Sequence, residues 1–267
     1  MGERGIARPP RSFYRSETDA RRDHRRAIVY MTVIHAALAA GMLGLTSIWI
    51  VAPVIVVCYL RGALLTHELM HVRRPERVTW ILRLMMLFDT PLGLGYREHQ
   101  DIHLRHHREA ATRADPEYFQ IEGGSARALL AAMISPELAA AQWVATRGIG
   151  ASLRREAATR ALLMLTLVAA EPTVFLRYWV VLRLTIGVSN FMFHHVVHYR
   201  RGEYGTFPLR LPGPLDALLR VILGPRLAAV LCEHDAHHVW RNVKAEHLRG
   251  LLLEYPAPES DPLETGR

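Results

Sequence analysis

Residues 27–71 read AIVYMTVIHAALAAGMLGLTSIWIVAPVIVVCYLRGALLTHELMH. From Ala27 to Leu60 there is no Asp, Glu, Lys or Arg. One membrane span takes about 20 apolar residues, so this run is too long for a single comfortable helix. Gly44, Thr46 and Ser47 offer a turn near its middle. The stretch therefore predicts two spans, 27–45 and 48–66, joined as a tight hairpin. A buried hairpin of a soluble protein is the alternative, and an uncharged run of this length is unusual outside bilayers.

Working outward, a second apolar pair follows at 157–170 and 173–193, with Glu171 and Pro172 marking the break. Arg177 and Arg183 fall in the later segment, which must tilt, let them snorkel or line them with protein. Shorter apolar segments at 80–92, 126–144 and 215–231 read as interfacial or buried helices. The expected fold is all-α and integral to the membrane, with four transmembrane helices in two hairpins and a cytoplasmic helical cap. Residues 1–26 form a basic cytoplasmic N-terminal segment, 27–255 the membrane domain, and 256–267 a disordered tail. Arg21, Arg22, Arg25 and Arg26 precede the first span, and Arg154 and Arg155 the third. The positive-inside rule then places both termini and the central region in the cytoplasm.

Composition agrees. The 267 residues suffice for one large domain or two small ones, half are hydrophobic, and the formal charge is +8. A basic balance suits nucleic acid or an anionic membrane surface. Arginines beside apolar runs favour the membrane, and no zinc-finger spacing or RNA-binding signature is present, so no nucleic-acid partner is expected. Cys58 and Cys232 form no CxxC pair, which excludes a disulfide scaffold and suits a reducing compartment. The basic, Pro-containing N-terminus leads into no small-residue cleavage site, so a removed signal peptide is not expected.

Most of the 15 histidines fall in four knots. His67 and His71 close the first hairpin in HELMH. His99, His103, His106 and His107 lie in EHQDIHLRHH. His194, His195 and His198 close the second hairpin in NFMFHHVVH, and His234, His237 and His238 lie in EHDAHH. Residues three or four apart share a helix face, so each knot presents two or three imidazoles to one point. One zinc site takes three or four protein ligands; eight or nine convergent candidates imply two metals. All-nitrogen ligation with room for dioxygen points to iron. His24, His35 and His247 stand apart from the knots and read as ordinary polar residues.

With these boxes in view, the chain resembles the membrane fatty acid desaturase superfamily. Its order of HxxxH, HxxHH and HxxHH is met by His67–His71, His103–His107 and His234–His238, and REAATRADPEYF after the second box resembles the family's continuation. The resemblance covers nearly the whole chain. It implies two non-haem iron ions in the cap, held by His67, His71, His103, His106, His107, His194, His234, His237 and His238. It further implies that Asn190, four residues before His194, reaches a metal through water. His198, four residues after His194, could reach the site; His99 is a further extra candidate, and His195 points elsewhere on the helix. Glu68, Asp101 and Asp235 are candidates for orienting the imidazoles.

The activity so implied is O2-dependent oxidation of a hydrophobic substrate, with no catalytic residue beyond the metal centre. Desaturation of a fatty acyl chain leads, and hydroxylation or ketolation of a carotenoid, alkane or other lipid is the alternative. Electrons would come from a separate ferredoxin, cytochrome b5 or flavoprotein reductase. His67-Glu68-Leu69-Met70-His71 is also HExxH, the pattern of a zinc metalloprotease with Glu68 as general base. That rival needs only one further ligand and leaves the other knots unexplained.

Overall fold

In the computed structural model, which describes residues 8–85 and 93–256, the described chain is mostly helical. Helix α1 (Glu17–Met42) opens on a capping box: Ser16 Oγ accepts the Asp19 N–H at 3.1 Å, and the Asp19 carboxylate accepts the Ser16 N–H at 3.1 Å. It therefore begins ten residues before the apolar run (27 − 17), and its first half carries the arginines. Gly44, at φ +70°, turns the chain into α2 (Ile48–Val72). The two helices pack closely where Gly62 faces Met31: a Cβ there would meet Met31 Cε at 2.7 Å.

The expected 80–92 segment is represented by α3 (Trp80–Met85); its remainder lies outside the described residues. Helix α4 (Tyr96–Glu109) carries the second histidine knot. The expected 126–144 segment is two helices, α5 (Ser125–Met133) and α6 (Ser135–Arg147), bent by 77°. Pro136 causes the break, since its ring excludes a continuous helix through Ile134. Helices α7 (Ala151–Ala170) and α8 (Pro172–Asn190) follow, and α8 runs into a π-helical turn at Phe191–Val196. A short hairpin of β1 (Tyr199–Arg200) and β2 (Glu203–Tyr204) comes next. The 215–231 segment divides into α9 (Gly213–Leu223) and α10 (Pro225–Cys232), because Gly224 at φ +81° and Pro225 interrupt it. Helix α11 (His234–Val239) holds the last knot, and α12 (Leu251–Glu254) ends the described chain. The tail expected to be disordered, except Pro256, lies outside the described residues.

Helices occupy all four segments expected to span the membrane. Two of them, Ile48–Val72 and Pro172–Val196, are long and apolar enough to cross, or three stretches if the bent α5–α6 pair counts as one. Helices α1 and α7 place arginines in their first halves, which shortens their apolar portions. Ile50, Leu165, Leu176 and Val188 are more than half exposed, leaving α2, α7 and α8 an apolar outer surface suited to lipid. Of the two arginines in the last segment, Arg183 is lined by protein: its Nη1 donates to Glu137 Oε2 at 2.8 Å, on α6.

The described part of the N-terminal segment packs against the C-terminal end of the chain. Phe13 O accepts the Lys244 N–H at 2.8 Å, Arg15 N donates to Asn242 O at 2.9 Å, and the Phe13 ring stacks on His247 at 4.0 Å. Residues 13–15 thereby hold the chain just after α11.

Candidate metal centre

Four short pieces of chain deliver the imidazoles. The last turn of α2 brings His67 and His71, and one face of α4 brings His103, His106 and His107. The end of α8 brings His194 and His198, and α11 brings His234, His237 and His238. They sort into two clusters. The ligand nitrogens of His67, His71, His103 and His107 lie within 4.8 Å of one another, and His237 joins His67, Glu68 and His71 in an overlapping group. His71 Nε2 and His103 Nε2 are 3.0 Å apart. The second cluster is His106, His198, His234 and His238. There His234 Nε2 lies 3.1 Å from both His198 Nε2 and His238 Nε2. His107 stacks on His238 at 4.1 Å, so the clusters share a wall. A third group, His106, Glu117 and His194, overlaps the second through His106.

This donor set fits two metal ions. Both ring nitrogens of His107 and of His237 are buried without a hydrogen-bond partner, as is Nδ1 of His67, His71, His194, His234 and His238. Leaving buried polar atoms unpaired costs about 1–3 kcal/mol each, and coordination through one ring nitrogen would relieve part of that penalty at His107 and His237. Burial, reinforced by the neighbouring imidazoles, holds His103, His107, His234, His237 and His238 well below the usual histidine range. Burial with the nearby His106 brings His198 down to about 3. These rings are thus neutral, the form that ligates metal.

Carboxylates stand behind particular rings. Asp115, 3 % exposed, bonds His106 Nδ1 at 2.8 Å. Burial opposes the His106 cation, but the bond to Asp115 and the charges of Glu117 and Asp115 outweigh it and raise the pKa. Such a bond fixes which nitrogen faces a metal. Glu68, 1 % exposed, lies 3.4 Å from His67 Nδ1 and 3.9 Å from His237 Nδ1 and is ion-paired with Arg15. Arg15 in turn meets Asp23 at 3.0 Å, and Arg226 meets the same Asp23 at 2.8 Å. Glu68 therefore sits beside the imidazoles with its carboxylate paired to an arginine, an arrangement unlike a free HExxH general base.

All nine expected histidines fall in these groups, and His198 is drawn in with them. Asn190 lines the cavity beside the clusters, and its Nδ2 donates to Ser135 Oγ at 2.6 Å. The π turn widens the helix between Asn190 and His198, which uncouples faces that a regular α-helix would align. His99 joins no group but lines the adjoining cavity, and burial lowers its pKa to about 4. Of the three acids expected to orient imidazoles, Glu68 lies nearest to the rings, 3.4 Å from His67 Nδ1, without hydrogen-bonding one. Asp101 is at the surface, 3.6 Å from Arg147, because it projects from the outer side of α4. Asp235 makes no hydrogen bond to an imidazole among the described residues and lines a separate pocket behind α11. Asp115 and Glu117 are the acids that helix periodicity missed; the DPE that follows the second box was their signal. His195 is a satisfied structural residue, bonded to Ile121 O at 2.9 Å and Ser125 Oγ at 3.2 Å.

A cavity of about 160 Å³ opens beside both clusters. Met31, Tyr59, Leu64, Ile186 and Phe193 form an apolar wall from α1, α2 and the α8 region, while His67, His103, His106, His194 and His234 face it. Glu117 and Gln120 also line it. Burial pushes the Glu117 carboxyl up to about 7, against the pull of His106 and with the push of Asp115.

Compared with known families, residues 46–251 match the model described as fatty acid desaturase. No curated protein and no solved structure matches the chain.

Proposed function

Because the chain belongs to the fatty acid desaturase family, we propose that it is an O2-dependent di-iron oxidoreductase of a membrane-borne hydrophobic substrate, desaturating a fatty acyl chain. The observation that carries this reading is the pair of four-histidine clusters bordering an apolar cavity. His67, His71, His103, His107 and His237 would hold one iron, and His106, His198, His234 and His238 the other, with His194 beside the second. Two iron ions there supply activation of dioxygen and removal of hydrogen from an unactivated C–H bond.

The protein's own contribution is positioning. Asp115 fixes the His106 ring in place, and Glu68, paired with Arg15, stands close behind His67. The apolar wall aligns a hydrocarbon chain and excludes water, which converts an encounter into a held geometry. Electrons come from a separate donor, a ferredoxin, cytochrome b5 or flavoprotein. The active site and both termini lie on the cytoplasmic side.

Mass spectrometry of lipids and pigments from cells with and without the protein tests the reaction. The expected result is an acyl species lighter by two hydrogens that appears only with the protein. Species gaining oxygen instead would move the assignment to hydroxylation or ketolation, and no oxidised species under iron-replete, aerated growth would contradict the proposal.

A further inference from the structure

After α4 the chain makes a tight loop in which Asp115 does most of the organising. Its Oδ2 accepts the Ala111 N–H at 3.1 Å as well as bonding His106, and its Oδ1 accepts the Glu117 N–H at 2.8 Å. Asp115 is thereby fully used. Glu117, two residues on, is not. Its carboxylate is 6 % exposed and accepts one long hydrogen bond, from Gln120 Nε2 at 3.3 Å. Among the described residues no Arg or Lys forms an ion pair with it. Its oxygens lie 3.6 Å from His194 Nε2 and 4.0 Å from His106 Nδ1.

We propose that Glu117 is a direct carboxylate ligand of the second metal, so that the two metal positions differ in chemistry: imidazole alone in the first, imidazole with carboxylate in the second. This rests on the di-iron reading above. The ligand atoms of His106, Glu117 and His194 lie within 4.8 Å of one another, and His106 also belongs to the cluster of His198, His234 and His238. Glu117 and His194 therefore border the second cluster on the side of the cavity. A buried carboxylate with a single long hydrogen bond is costly unless a cation meets it. His194 presents its Nε2 to the same point, 3.6 Å from the Glu117 carboxylate. A metal ion between them would satisfy both the anion and the neutral imidazole. At the first cluster the acid in reach, Glu68, differs in being ion-paired with Arg15.

Full-length protein purified from iron-57-supplemented cells tests this, by iron content and Mössbauer spectra of wild type, Glu117→Gln, Glu117→Asp and His106→Ala. The wild type should hold about two irons per chain, in two unequal quadrupole doublets. Glu117→Gln keeps the volume and the hydrogen bonding but not the anion. It should lose iron from one position, or shift one doublet, while the other doublet stays unchanged and reports an intact fold. Glu117→Asp should restore part of that signal, and His106→Ala should remove the same doublet. A Glu117→Gln protein with two irons and both doublets unchanged overturns the proposal even if turnover falls, since a proton carrier or packing residue would behave so. Wild-type protein that binds no metal would instead overturn the di-iron reading, and this proposal with it.

Discussion

Replacing His198 with Ala removes one of four imidazoles from the second cluster and leaves His234 Nε2 with only His238 Nε2 at 3.1 Å. Changes behind a metal ligand often cost about 10–100-fold in affinity, and loss of the ligand itself should cost at least that. The expected outcome is loss of iron from one position and of nearly all turnover. Asn190→Ala should keep both irons, because the amide is occupied with Ser135, and should cost only about 1 kcal/mol of stability. Iron content and turnover of the two variants check this; a dead Asn190→Ala beside an active His198→Ala would contradict it. Helix spacing alone made His67, His71, His103, His106, His107, His234, His237 and His238 legible, because three- and four-residue intervals fix a shared face. It could not rank Asn190, His194 and His198, since their order depends on a π turn that no interval reveals. Asp115 and Glu117 act through a loop whose path has no period. Arg15 is one more charge of the basic leader in sequence, and its pairing with Glu68 and Asp23 follows from tertiary contacts that no local pattern shows.

At the scale of elements, the α5–α8 contact sets where Ser135 and the end of α8 meet. Gly187 makes that approach possible: a Cβ there would meet Met133 Cγ at 2.4 Å and the Met133 backbone at 3.4 Å. Small residues at helix crossings are how membrane helices approach closely. Gly187→Val should therefore push α5 outward and destabilise the protein by about 1–3 kcal/mol, lowering the Tm of the detergent-solubilised protein. Gly213→Val, at a position with open space around it, is the control and should leave the Tm nearly unchanged. Equal melting of the two variants would mean that the α5–α8 contact is looser than described. The long helices themselves were legible because uncharged runs exceed what one helix needs. The 77° break between α5 and α6 was not, although Pro136 marks it, because apolar residues continue on both sides.

For the whole molecule, the arrangement requires the central loop and the C-terminus to share a side of the membrane, since α4 and α11 build one site. Reporters inserted near Gly123 and fused after Arg267 should both register the cytoplasm. A signal from opposite sides would separate knots that the fold brings within a few ångströms. The central claim is that this one site holds two iron ions. The most direct measurement is metal content of the purified protein from iron-supplemented cells, read together with its Mössbauer spectrum. The account predicts about two irons per chain, both in nitrogen-rich surroundings. One zinc per chain and no iron would contradict it.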